Sequence, residues 1–83
     1  MHHLARTAKQ LGAIVQRERK SRGLTQAELG AQIGLRQATV SKLEAGEPGT
    51  QLRTLLDALT ALNLQIVIEE RSSSDQSDIE SLF

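Results

Sequence analysis

The stretch from Thr25 to Gly46, TQAELGAQIGLRQATVSKLEAG, constrains this chain more than any other, because it reads as two short helices with almost nothing between them. Thr25 and Glu28 form a Thr-x-x-Glu pattern, in which hydroxyl and carboxylate each satisfy an amide left without a partner at a helix start. Leu29 and Ile33 then supply the apolar face of a helix that Gly34 closes. Only Gly34 and Leu35 separate it from a second segment with Val40 and Leu43 inward, ending at Ala45 and Gly46. Two short helices joined by a tight glycine-containing turn form a helix-turn-helix.

The rest of the chain reads as support for that unit. Thr7 and Gln10 repeat the capping pattern, Leu11, Ile14 and Val15 share a helical face, and Gly23 is a stop, so a first helix is expected from Ala8 to Arg22. Glu47, Pro48 and Gly49 form a loop, and Leu52, Leu55, Leu56, Leu59 and Leu62 recur at spacings of three and four, giving a fourth helix with that face as core. After Asn63 the period changes to an alternation of Leu64, Ile66 and Ile68 with Gln65, Val67 and Glu69, which predicts a strand from Leu64 to Glu70. One strand has no mate within the chain. A second copy across a two-fold axis supplies one, so Leu64, Ile66, Val67 and Ile68 are expected to form a homodimer interface. The fold class is therefore all-α, four helices with a C-terminal β-strand pairing across a dimer. Residues 1–6 are read as an N-terminal arm, 7–70 as the folded domain and 71–83 as a disordered acidic tail, too serine-rich and polar to offset its ordering entropy.

Composition narrows the function. The chain has 83 residues and no cysteine, which excludes disulfides, thiolate metal sites and thiol catalysis. His2 and His3 lack a third ligand at any metal-binding spacing, so no metal or cofactor is expected. No apolar run approaches the roughly 20 residues of a bilayer span, and the protein is expected to be soluble and cytoplasmic, without a membrane role. With no structured histidine, no phosphate loop and little room for a pocket, an enzyme is disfavoured. The net charge is zero, but it is polarised: up to Gly46 eight basic residues face three acidic ones, and beyond it two face seven. A surplus of +5 followed by −5 suggests a basic surface for one partner and an acidic segment for another.

In a helix-turn-helix the second helix lies in the major groove of double-stranded DNA with its N-terminal residues at the base edges. Arg36 and Gln37 stand at that tip, where arginine donates twice to guanine and glutamine pairs with adenine. Ala38 and Thr39 offer methyl groups for thymine, and Ser41 and Lys42 lie within reach of a base edge or a phosphate. Thr25 and Gln26 open the preceding helix, where the Gln26 amide is placed to bind phosphate and to brace Gln37.

The stretch resembles the lambda-repressor-like domain of the XRE family, with matches at Thr25, Gln26, Leu29, Gly34, Val40, Glu44 and Gly46. It departs at Gly30, where alanine is usual, and at Arg36, where a capping serine or threonine is common. From Thr7 to Glu70 the narrower resemblance is to HipB antitoxins, carried by Gly34–Ser41, the leucine-rich fourth helix and the terminal Leu-Gln-Ile-Val-Ile-Glu. That resemblance implies an operator-binding autorepressor that dimerises and binds a HipA-type serine/threonine kinase toxin. It also implies an ion pair between Arg19 and Glu44 tying the first helix to the recognition helix. The acidic tail ending in Ile79, Leu82 and Phe83 has the make-up of a toxin-contacting peptide. A stand-alone repressor without a toxin is the alternative, and a pull-down separates the two.

Overall fold

The computed structural model describes residues 3–71, which form α1 (Ala8–Ser21), α2 (Gln26–Ile33), α3 (Gln37–Glu44) and α4 (Leu52–Ala61). The helix starts follow the capping chemistry. The Thr7 hydroxyl accepts from the Gln10 amide at 3.0 Å, but the Gln10 side chain accepts from the Arg6 amide at 2.6 Å, one residue earlier than the cap itself. At α2 the box closes fully: the Glu28 amide donates to the Thr25 hydroxyl at 3.0 Å and the Thr25 amide donates to the Glu28 carboxylate at 2.9 Å. The Thr25 amide, and after it the Thr25 hydroxyl, holds the Glu28 carboxyl below its ordinary range. The helix ends are equally specified. After α1, which stops at Ser21 with Arg22 as its cap, the Leu24 amide reaches back to the Arg19 carbonyl at 3.2 Å and the Gly23 amide to Lys20 at 2.9 Å. The same pair of reversed bonds closes α4, where Asn63 takes the left-handed conformation (φ 58°) and the Leu64 amide meets the Leu59 carbonyl at 2.8 Å. Both are Schellman closures, which satisfy the last carbonyls and fold the next apolar residue onto the helix.

Val15 of α1, Leu29 of α2, Val40 and Leu43 of α3, and Ala58, Leu59 and Leu62 at the end of α4 make the buried core, with Leu24, Ile33, Leu55, Ala61 and Leu64 packed around it. The leucine face of α4 is narrower than its spacing implied. Thr54, Ala58 and Leu59 turn inward, whereas Leu52 and Leu56 are 66% and 43% exposed. Five leucines make a stripe wider than the surface the other helices cover, so the outer two face solvent in a single chain. The strand expected from Leu64 to Glu70 is not present: residues 64–71 carry no regular secondary structure, and only Leu64 rests on the core. Ile66, Val67 and Ile68 are 48%, 63% and 93% exposed.

Two devices lock α3 to α1. The first is steric. A Cβ at Gly12 would lie 2.5 Å from the Leu43 carbonyl oxygen and 2.6 Å from that of Glu44, so α1 touches the backbone of the α3 C-terminus. At Gly46, just past α3, φ is +76° and a Cβ would lie 2.4 Å from Lys9 Cα, so both conformation and space demand glycine. The second is electrostatic. Arg19 Nε donates to Glu44 Oε2 at 2.6 Å and Nη2 to Oε1 at 3.0 Å, while Nη1 donates to the Leu24 carbonyl at 2.7 Å. Both side chains are buried, 8% and 2% exposed, and among the described residues no buried side-chain polar atom lacks a partner. The bonds to Glu44 raise the Arg19 pKa further, against the opposing effect of desolvation.

Two substitutions test the lock. Glu44→Ala leaves a guanidinium buried without its carboxylate, a loss of about 3–5 kcal/mol, and thermal melts are expected to show the transition fall by more than ~10 °C. An unchanged melting temperature would place the pair outside the structural core. Gly12→Ala gains about 1 kcal/mol of helix propensity but overpacks a backbone contact at about 1–3 kcal/mol, so urea titration is expected to show net destabilisation. A more stable variant would mean that α3 retreats from α1 at no cost.

Candidate nucleic-acid interface

With Val40, Leu43 and Glu44 turned inward, α3 presents Gln37, Ala38, Ser41 and Lys42 on its outer edge, and all four are exposed. These positions repeat at one and four residues, the spacing that keeps side chains on one helical face. Eight residues at 1.5 Å each give a helix about 12 Å long, comparable with the roughly 12 Å width of the major groove. Arg36 is the N-cap in extended conformation, and its side chain makes no capping bond. The usual serine or threonine would spend its hydroxyl on the helix amides. Arginine at this position leaves a solvent-exposed guanidinium beside the first turn. Arg36 at one end of the edge and Lys42 near the other make its ionised groups uniformly positive.

The remaining expected residues fall into different environments. Thr39 is half-buried beside Val40. The Thr25 hydroxyl is exposed but already accepts the Glu28 amide. Gln26 is half-buried, and its amide donates to Glu44 Oε1 at 3.1 Å instead of bracing Gln37. Its place in the first turn of α2 thus joins that helix to the same carboxylate that Arg19 grips. Sequence reasoning missed this contact, since nothing in the spacing of Gln26 and Glu44 specifies it. It also missed the positioning roles of Gly12 and Gly46. A glycine within the apolar stretch of α1 was the available signal for Gly12, because glycine in a helix interior is unfavourable unless a neighbour needs the space.

Among the described residues no group of three His, Cys, Asp or Glu side chains is placed to hold a metal, and no helix is long and apolar enough to cross a membrane. A cleft of about 380 Å³ lies between the N-terminal arm and α1, lined by His3, Leu4, Gln10, Ala13, Ile14 and Arg17, and includes no residue of α3. Ile79, Leu82 and Phe83 lie outside the described residues.

Comparison with known proteins agrees with this geometry. A family model described as "Helix-turn-helix" matches residues 15–68. The protein named Antitoxin HipB from Escherichia coli O6:H1 is 32% identical over 76 residues, covering 86% of this chain and 81% of that protein. Among solved structures, one described as a HipB-O4 20mer complex superposes with a TM-score of 0.79 at 30% identity, covering 86% of this chain and all of that one. A structure of a HipA-HipB-O2-O3 complex gives the same TM-score, identity and coverage. By its two-helix reading unit, its four-helix frame and these likenesses, the chain belongs to the helix-turn-helix family and, within it, to the HipB-like antitoxins.

Proposed function

We propose that this protein is the antitoxin of a HipBA-type toxin–antitoxin pair, binding operator DNA as a homodimer, repressing its own operon and binding a HipA-type serine/threonine kinase toxin. It acts by binding and not by catalysis, in the cytoplasm where its operator lies. The observation that carries the reading is the exposed edge of α3, Arg36, Gln37, Ala38, Ser41 and Lys42, on a helix whose opposite side is locked to α1. A reader of base edges needs polar groups that are free to reach and a backbone that does not shift. The likeness to proteins named Antitoxin HipB, and to a structure described as containing HipA, supports the toxin as second partner.

In this reading Arg36 and Gln37 make base contacts, Ala38 and Thr39 meet thymine methyls, and Ser41 and Lys42 divide between base edge and phosphate. Thr25 and Gln26 face the phosphates beside α2, with the helix N-terminus adding a favourable dipole. The homodimer forms through residues 64–70. Beyond Leu64, whose amide closes α4 on Leu59, their backbone amides and carbonyls pair with those of a second copy, and Ile66, Val67 and Ile68 join the exposed Leu52 and Leu56 under cover. The tail is assigned to the toxin, with Ile79, Leu82 and Phe83 as apolar anchors and its carboxylates meeting a basic rim.

Fluorescence anisotropy with a selected operator tests the DNA contacts. Gln37→Ala is expected to cost about 1–3 kcal/mol and relax one base position, while Lys42→Ala weakens all sequences alike and lowers the salt slope by about 1. Arg36→Ala and Gln37→Ala that bind as well as the parent at matched salt would remove α3 from the groove. Two truncations separate the protein partners. Ending the chain after Asn63 is expected to give monomers or unfolded protein, and dimers of unchanged affinity in sedimentation would overturn the pairing. Deleting Ser72–Phe83 is expected to leave operator affinity intact and weaken kinase binding by at least tenfold, about 1.4 kcal/mol. Equal kinase affinity for both forms would free the tail from that role.

A further inference from the structure

The polar contacts of the N-terminal arm run in series to the far end of the domain. His3 Nε2 donates to Glu18 Oε1 at 2.7 Å, and the other carboxylate oxygen of Glu18 accepts from Arg22 Nη1. Arg22 Nη2 in turn donates to the carbonyl of Leu62, forty residues along the chain. A carboxylate only accepts, so the His3 proton sits on Nε2 in this arrangement. The arm is fastened at a second point by the Arg6 amide on the Gln10 side chain, and between the two its residues line the cleft over Ala13, Ile14 and Arg17. Residues 3–6 therefore lie as a strap along α1. Ile14 is half-buried beneath it.

Each link has a physical reason. Leu62 is fully buried and caps α4, where the last carbonyls carry the negative end of the helix dipole, so a guanidinium there is favourable. The Arg22 side chain is 35% exposed, and its planar fork stays aimed at Leu62 because its other nitrogen is held by Glu18. The Glu18 side chain, 14% exposed, is oriented from two sides, by Arg22 and by His3. One residue beyond Leu62 stands Asn63 in its left-handed conformation, and then Leu64, whose amide closes α4 on the Leu59 carbonyl. This closure sets the direction in which residues 64–71 leave the domain.

We propose that the strap and the α4 exit are one coupled device, in which docking of His3 on Glu18 holds Arg22 on the Leu62 carbonyl and so tightens the closure from which the C-terminal segment departs. His3 is a positioning residue acting through two others. The coupling itself needs only one chain. Its consequence for pairing of residues 64–70 rests on the dimer reading above, and the two are measured separately.

The test is amide hydrogen exchange at Leu64 in the full chain, with melting curves to confirm that each variant folds. His3→Ala is expected to speed exchange about threefold and Arg22→Gln about tenfold, with the double variant no faster than Arg22→Gln alone, since both act on one path. Unchanged Leu64 exchange in His3→Ala, or single effects that multiply in the double variant, overturns the coupling. Sedimentation of the parent is run alongside. A monomeric parent ends the pairing reading, and the strap still stands or falls on the exchange data.

Discussion

The Glu44 carboxylate is where the packing of this small domain converges. Arg19 brings α1 to it, Gln26 brings the first turn of α2, and Glu44 itself belongs to the last turn of α3. Through its third donor Arg19 also holds the Leu24 carbonyl at the turn between α1 and α2. A buried ion pair contributes little net stability compared with apolar groups of the same shape, because desolvation offsets most of the attraction. What it supplies is direction. The guanidinium fork meets a carboxylate in one plane, so the pair sets the angle at which α3 stands against α1, while the apolar residues around it are tolerant of small rotations. With seven hydrophobic residues buried among the described ones, the core by itself is thin for that task.

Much of the architecture was legible because its signals are local. Thr7 and Thr25 mark helix starts, Gly23, Gly34 and Gly46 mark helix ends in the left-handed conformation, and each acts on backbone groups within a few residues. The exposed edge of α3 followed from the same periodicity that buries Val40 and Leu43. The parts that were not legible depend on contacts between distant segments. Gly12 is constrained by the carbonyls of Leu43 and Glu44, far along the chain, and no helical pattern encodes where α3 ends relative to α1. The stripe of five leucines in α4 predicted a core face, but which leucines are covered is decided by the neighbours, and Leu52 and Leu56 were left out. The Arg19–Glu44 pair was expected only from the family resemblance. Residues 64–70 alternate like a strand but carry no regular secondary structure, because pairing needs a second strand and the chain offers none among its described residues.

Charge and exposed apolar surface are segregated along the molecule. The positive surplus up to Gly46 accompanies the α3 edge, and the acidic surplus falls in the segments beyond it. The apolar surface left exposed lies chiefly on α4 and after it, at Leu52, Leu56, Ile66, Val67 and Ile68. In the proposed reading, a nucleic-acid partner and a protein partner meet chemically distinct parts of one short chain, and neither kind of contact needs the residues of the other.

The close approach of Gly12 and Gly46 to their neighbours has a consequence for whatever duplex this domain reads. At those two points backbone meets backbone with no soft side chain between to yield, so in the proposed reading the α3 edge is held stiffly, and a mismatch between the edges of two copies and the duplex they read is taken up by bending or twisting of the DNA. The energy of that deformation depends on the base steps being deformed, including those no side chain touches. In that reading, part of the discrimination exerted by the helix resides in the flexibility of the base pairs lying between the segments the two copies touch.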